Sequence, residues 1–114
     1  MRFPDEKRLA TETVYPLANG RSRAQVIREQ LGFLRKTPKP CGMRVTADVF
    51  GLTATATTDM GIGQKWEMFV DQVDVVLPMV YPSHFARGTY KFRNPNAHPY
   101  ATSDRVLKDV IKRT

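Results

Sequence analysis

The stretch VDVVLPMVYPSHF, Val73–Phe85, joins an apolar run directly to a turn of polar and aromatic residues. A short continuous apolar run bounded by turn residues is typical of a buried strand, and here it predicts a strand from about Asp74 to Tyr81. The sequence YPSH that follows carries side chains able to bind a ligand. We therefore expect this strand to end at a functional surface.

Four other segments show regular patterns. Ser22 can cap a helix, and the prolines of KTPKPCG end it, since proline cannot continue a helix. The predicted elements are a helix over Ser22–Arg35, a strand over Met43–Phe50, a helix over Gly63–Gln72, the strand over Asp74–Tyr81, and a last helix that Thr102 or Ser103 caps, with an apolar stripe of Val106, Leu107, Val110 and Ile111.

Strands that alternate with helices predict an α/β protein with a parallel sheet. The two predicted strands begin about 31 residues apart, the size of one βαβ unit. The connections that enter the strands are short, whereas those that leave them span about 13 and nearly 20 residues. In (β/α) barrels the loops that leave the strands build the active face, so the asymmetry favours that fold.

The number of strands limits this interpretation, because a barrel needs eight strands and typically about 250 residues. Residues 1–20 are too polar to hide further strands. We expect residues 1–114 to be a single partial (β/α)8 TIM barrel domain, with about two complete βα units, truncated at both ends. Open sheet edges predict self-association and marginal stability.

Composition excludes several classes of protein. The formal net charge is +7, but the basic residues are spread along the chain without an aromatic-interleaved motif, which disfavours specific nucleic-acid binding. The longest apolar run, Val75–Val80, is too short to span a membrane, which takes roughly 20 residues. The single cysteine, Cys41, cannot form an internal disulfide. No phosphate-binding loop or metal-ligand spacing occurs, so no cofactor or metal is expected.

Four residues could carry chemistry. Asp48 lies near the end of the first strand, where barrel enzymes place acid–base groups, although it could instead cap the next loop or pair with an arginine. Tyr81, at the end of the second strand, could donate a hydrogen bond to a substrate oxygen or simply pack. His84 could bind substrate or be structural. Tyr90 could offer a sugar-stacking platform or pin a long loop.

The motifs TADVFG, GIGQKWE, VDVVLPMVYPSHF and NPNAHPY together resemble a bacterial family of glycoside-hydrolase-like domains of unknown function with a TIM-barrel fold. The similarity runs from Met1 to about Lys112. MRFP looks like the end of that family's fourth-strand motif, which Arg2, Phe3 and Pro4 match. The aspartate that the family carries just before this point, implied to be its catalytic acid, is not in this chain.

By this resemblance the chain supplies barrel units five and six, with part of the fourth strand and the seventh helix. Met79–Tyr81 is similar to the Met-x-Tyr pattern of chitinase-like barrels, but Pro82 stands where the acid normally follows. The resemblance implies a glycoside hydrolase that acts on a polysaccharide or cell-wall glycan. The implied catalytic residues are Asp48 and Tyr81, and the implied sugar contacts are Arg2, Met79, His84 and Tyr90.

One plausible carboxylate is fewer than the two that glycosidases generally need, so the isolated chain is expected to be inactive. Two alternatives stay open. A non-catalytic carbohydrate-binding or scaffold protein would use the aromatic loop of residues 81–100 without an acid. A basic nucleic-acid binder would show an affinity that falls steeply with salt.

Overall fold

The computed structural model of this protein describes Phe3, residues 7–37 and residues 39–113. Four α-helices and two β-strands make up its regular structure, with short 3₁₀ turns between them. The elements are α1 (Lys7–Glu12), α2 (Arg23–Lys36), β1 (Thr46–Phe50), α3 (Trp66–Phe69), β2 (Val75–Met79) and α4 (Pro99–Arg113). The helix α1 was not predicted, and the other five elements follow the predicted order.

The start of α2 is fixed by the cap that the sequence predicts. The Ser22 side chain accepts a hydrogen bond from the Gln25 backbone N–H, and the Gln25 side chain accepts one from the Ser22 N–H, which makes a complete capping box. Ile27 and Leu31, one turn apart, are buried. The predicted helix is confirmed.

The two strands pair in parallel, with Thr46 opposite Val75 and Phe50 opposite Met79. Both strands are shorter than predicted. Before β1, the Val45 N–H donates to the Asp74 side chain at 2.8 Å rather than to a neighbouring strand. At the end of β1, the chain enters a 3₁₀ turn at Gly51–Ala54. The residues after Met79 therefore have no partner strand among the described residues.

The predicted helix over residues 63–72 shrinks to the four residues of α3, followed by a 3₁₀ turn at Val70–Gln72. Its start moves because Gly63 has φ +82° and Lys65 is extended, and neither conformation is helical. The predicted apolar side is kept, since Trp66 and Phe69 are both 2% exposed.

The hydrophobic core lies between the helices and one face of the sheet. Ile27 and Leu31 of α2 and Phe69 of α3 pack with Val49 of β1 and with Val73. The molecule is 18 Å thick along its shortest axis, which fits one helix layer on one sheet layer. The α/β class with parallel strands is therefore confirmed.

Arginines of α2 fasten this helix to the segment before β2. Arg28 forms a bidentate ion pair with Asp71, at 2.6 and 2.7 Å. Arg28 lowers the pKa of Asp71 to about 2, because it stabilises the ionised carboxylate. Arg35 donates to the backbone carbonyl of Asp71 and lies 3.8 Å from the Asp74 carboxylate. These contacts hold α2 across the start of β2.

The start of α4 differs from the prediction of a cap at Thr102 or Ser103. The helix begins at Pro99, because proline at a first helical position is preorganised for the turn. Thr102 is fully buried, and its hydroxyl contacts the carbonyls of His98 at 2.8 Å and Pro95 at 3.1 Å. The predicted stripe is right for Val106, which is fully buried, and for half-buried Val110. It is wrong for Leu107 and Ile111, which face solvent.

Candidate functional site

The two faces of the sheet differ in what covers them. Ala47, Val49 and Val76 pack against the core under the helices. On the opposite face, paired residues alternate along the register: Thr46 with Val75, Asp48 with Leu77, and Phe50 with Met79. Thr46, Asp48, Val75 and Leu77 are exposed, and Leu77 keeps 46% of its surface in solvent. We call these six residues the open face, because four of them are exposed, whereas Phe50 and Met79 are half-buried.

Asp48 sits at the centre of the open face, third of the five residues of β1 rather than at the strand end. Among the described residues its carboxylate has no hydrogen bond or ion pair. The suggested structural roles, a loop cap or an arginine partner, are therefore not realised in the described chain.

The other described acidic side chains all have partners. Asp59 accepts from the Gly61 N–H, and Asp109 accepts from the Tyr90 hydroxyl. The remaining ones pair with cations: Glu12 with Arg8, Glu29 with Arg21, Glu67 with Arg113, Asp71 with Arg28, Asp74 with Arg35, and Asp104 with Lys108. Within the described ranges, Asp48 is thus the one carboxylate that the fold does not use.

Tyr81 and His84 mark the end of β2. The strand gives way to a 3₁₀ turn at Pro82–His84, in which the His84 N–H donates to the Tyr81 carbonyl at 2.9 Å. This turn brings the two rings to 5.4 Å between centroids, tilted by 55°. Tyr81 is 53% exposed, and His84 is exposed too. The structure therefore brings these two predicted residues together as one accessible aromatic pair.

The structure does not bring Tyr81 close to Asp48. Asp48 is level with Leu77, and Tyr81 lies four residues further along. At roughly 3.3 Å per residue of extended chain, the two positions are about 13 Å apart along the strand direction. Tyr81 lies beyond the last residue of β2, so the sheet register does not assign it to the face that carries Asp48.

Met79 lies between these residues and is half-buried. A side-chain carbon on Gly51 would come within 2.7 Å of the Met79 carbonyl oxygen and 3.0 Å of the Phe85 ring. Glycine is thus required where the loop that leaves β1 crosses the end of β2. The predicted sugar contact Arg2 lies outside the described residues.

Tyr90 has the contacts of the loop-pinning alternative. Its hydroxyl donates to the Asp109 carboxylate of α4 at 2.8 Å. Burial, together with this hydrogen bond to Asp109, raises the pKa of Tyr90 well above its usual value. These contacts involve the hydroxyl, so the role of the ring as a sugar-stacking platform stays a prediction.

Gln64 is a residue that the sequence analysis missed. It is 2% exposed, and its side-chain oxygen accepts from the Phe50 N–H at 2.8 Å and from the Thr53 hydroxyl at 3.1 Å. These bonds fasten the GIGQ segment to the end of β1. The signal was a lone amide side chain between glycines and the buried Trp66, in a motif read only for its family resemblance.

Two further searches of the described residues found nothing. No group of three or more His, Cys, Asp or Glu side chains could hold a metal ion there. No described helix is both long enough and apolar enough to cross a bilayer.

Comparison with known families gives one match. The model of one family, described as "Putative glycosyl hydrolase domain", matches residues 1–114. The chain belongs to this family. Searches of curated proteins and of solved structures found no match.

Proposed function

We propose that this chain forms two βα units of a (β/α)8 barrel that binds and hydrolyses a polysaccharide or cell-wall glycan. Asp48 carries the proposal, because it is the one described carboxylate that the fold leaves unpartnered and it lies on the open face. In a barrel that face would line the interior, and loops that leave the strands would build the substrate rim. Tyr81 and His84 lie on that rim.

The roles of these residues follow from their positions. Glycosidases generally use two carboxylates, about 5–10 Å apart, on either side of the scissile bond. No second free carboxylate occurs in the described residues, so Asp48 would supply one member of the pair and further strands the other. Tyr81, about 13 Å along the strand, would contact a neighbouring sugar unit rather than the reacting carbon.

A hydrolysis assay tests the catalytic part. The purified chain should release no reducing sugar above a buffer blank from a panel of β-linked glycans, because hydrolysis generally needs a second carboxylate, as nucleophile or as base, opposite the first. Release that Asp48→Asn abolishes would contradict this expectation of inactivity and would make Asp48 part of a complete site.

A binding assay tests the rim. Affinity electrophoresis in gels that contain neutral soluble glycans should show retardation of the wild type. Tyr81→Ala should weaken the retardation roughly fivefold or more, since a sugar face loses its aromatic partner. Phe33→Ala is the matched control, because Phe33 is an aromatic residue that is 70% exposed on α2, outside the loop of residues 81–100. Equal binding by both variants would refute a sugar-binding role for Tyr81.

The binding assay also separates a non-catalytic carbohydrate-binding protein from an enzyme fragment. The absence of a second free carboxylate among the described residues favours this alternative. Asp48→Ala should leave binding unchanged in a pure binding protein. In an enzyme site Asp48→Ala should change the affinity for the glycan, because it removes a charge that faces the bound sugar.

The same open face and the unpaired strand edges should make the chain self-associate. Sedimentation velocity over a range of concentrations should show growing oligomers. Leu77→Lys should reduce them, because a charge at an exposed apolar position opposes association. A monomer at all concentrations, for both proteins, would contradict this part of the proposal.

A further inference from the structure

The loop between β2 and α4 has a one-sided charge. Residues 81–100 contain Arg87, Lys91 and Arg93 and no aspartate or glutamate. All three cations are exposed. Within the described residues none of their side chains has a hydrogen bond or ion pair, whereas α2 and α4 each bear arginine or lysine side chains that pair with carboxylates.

The backbone that carries these cations is held in an uncommon conformation. Tyr90 and Lys91 are consecutive residues with positive φ, 54° and 67°, in the left-handed region that side chains rarely adopt. The Gly88 N–H donates to the Phe92 carbonyl at 2.8 Å and closes the turn. Arg87 and Arg93 therefore leave this closed turn from neighbouring points.

Contacts with α4 hold the turn in place. The Tyr90 hydroxyl bonds Asp109, and Arg105 donates to the Tyr90 carbonyl. Arg105 also lies over the Phe92 ring, 4.7 Å from its centroid, and the ring stacks on His98 at 4.9 Å. Such strain persists only where surrounding contacts enforce it, and it concentrates at functional sites.

The loop also belongs to the proposed substrate rim. It begins at Tyr81 and His84, and its first turn, Pro82–His84, packs on the turn Pro95–Ala97 and on α4. A sugar unit that contacts Tyr81 would extend beside the cationic turn. Because the backbone of the turn is already held in place, binding an anion would order only the cationic side chains.

We propose that the cationic turn, defined by Arg87, Lys91 and Arg93, selects glycans that carry carboxylates, such as uronic acid polymers. This inference rests on the proposed function and names its substrate class. The planar guanidinium of arginine donates two parallel hydrogen bonds to a carboxylate, which suits a uronate. A turn with three cations offers a short contact for a sugar acid, not a long track for a phosphate backbone.

The test compares the binding of an oligogalacturonate with that of its methyl ester of the same length, at low salt, by isothermal titration calorimetry. The two probes share a backbone and differ in charge. A single-stranded oligo-dT of equal charge is the third probe. We expect the full chain to bind the acid about tenfold more tightly than the ester, because charge-assisted hydrogen bonds are lost on esterification.

Two double variants localise the effect. Arg87→Gln with Arg93→Gln should lower the affinity for the acid to that for the ester. Lys36→Gln with Arg44→Gln removes the same charge at the opposite end of the sheet, where both side chains are exposed, and should change the affinity less than about twofold. Fluorescence of buried Trp66 checks that both variants fold.

Three outcomes would overturn the inference. Equal affinity for acid and ester would remove the charge preference, while Tyr81-dependent binding of neutral glycans would leave the proposed function standing. Binding of oligo-dT as tight as that of the acid, or equal losses in both double variants, would show general attraction to a chain of net charge +7. Binding of no glycan at all, neutral or acidic, would overturn both proposals.

Discussion

Replacing Gln64 with leucine tests whether the GIGQ segment holds the end of β1. The side-chain oxygen of Gln64 accepts from the Phe50 N–H and the Thr53 hydroxyl, and Thr53 is fully buried. Leucine fills a similar volume but offers no acceptor. Each buried donor left without a partner costs about 1–3 kcal/mol, which the hydrophobic gain of leucine offsets only in part. We expect a net loss of about 2–4 kcal/mol.

Urea unfolding measures this loss, with Trp66 as the probe. It is the single tryptophan of the chain and is 2% exposed, so its fluorescence should change on unfolding. The Gln64→Leu midpoint should fall well below that of the wild type. Because native domains have unfolding free energies of only about 5–15 kcal/mol, this loss is a substantial share of the total stability.

Gln30→Leu is the matched control, because Gln30 is exposed on α2 and the chemical change is the same. Such surface substitutions usually change stability by less than about 0.5 kcal/mol. If both variants unfold at the same urea concentration with unchanged slopes, then Gln64 does not anchor β1. Other contacts would then have to hold the end of β1 in place.

Three further outcomes are expected. Asp71→Asn should make the free energy of unfolding depend less on pH between pH 5 and 2. In the wild type Arg28 stabilises the ionised Asp71, and this stabilisation, full above about pH 4, is lost as pH falls towards the folded pKa of about 2. An unchanged pH dependence over this range would contradict the expectation. Thr102→Val should lower the free energy of unfolding in urea by about 1 kcal/mol, whereas Thr102→Ser keeps the hydroxyl and should lose much less of its hydrogen bonding. A valine variant as stable as the wild type would count against the buried hydroxyl contact. Gly51→Ala should lower the stability by about 1–3 kcal/mol, because the new methyl group meets a fixed carbonyl. Gly32→Ala, within α2, should be neutral or stabilising by up to about 1 kcal/mol, because there the methyl group meets a movable side chain. The reverse order of stability in thermal melts would refute the close approach at Gly51.

The elements that the sequence predicted well are those governed by local rules. α2 has a cap, a helical apolar stripe and proline residues after its end, and all of these signals lie within the segment itself. Both strands were also predicted from patterns within their own segments, β2 from its continuous apolar run, and they pair in parallel. These features need no knowledge of distant contacts.

The errors occurred where distant contacts decide. Strand length depends on where the partner turns away, and Gly51 turns β1 away at Phe50, which no pattern within β2 could show. The number of residues in α3 depends on the left-handed glycines before it. The free state of Asp48 was equally invisible in sequence, since it became clear only when the partners of the other described carboxylates were known.

The open face is the feature of the described fold on which the proposed barrel depends most. β2 carries apolar residues on both sides, as strands buried on both faces do. Here Val76 packs in the core, whereas Val75 and Leu77 are exposed. Full burial of a leucine contributes about 1.5–3 kcal/mol, and the 46% exposure of Leu77 forfeits roughly half of that. A sequence that places apolar side chains around an unpartnered carboxylate is better explained by an enclosed site than by a solvated surface. In the proposed barrel, Asp48 would be one of the two carboxylates that glycoside hydrolysis generally uses.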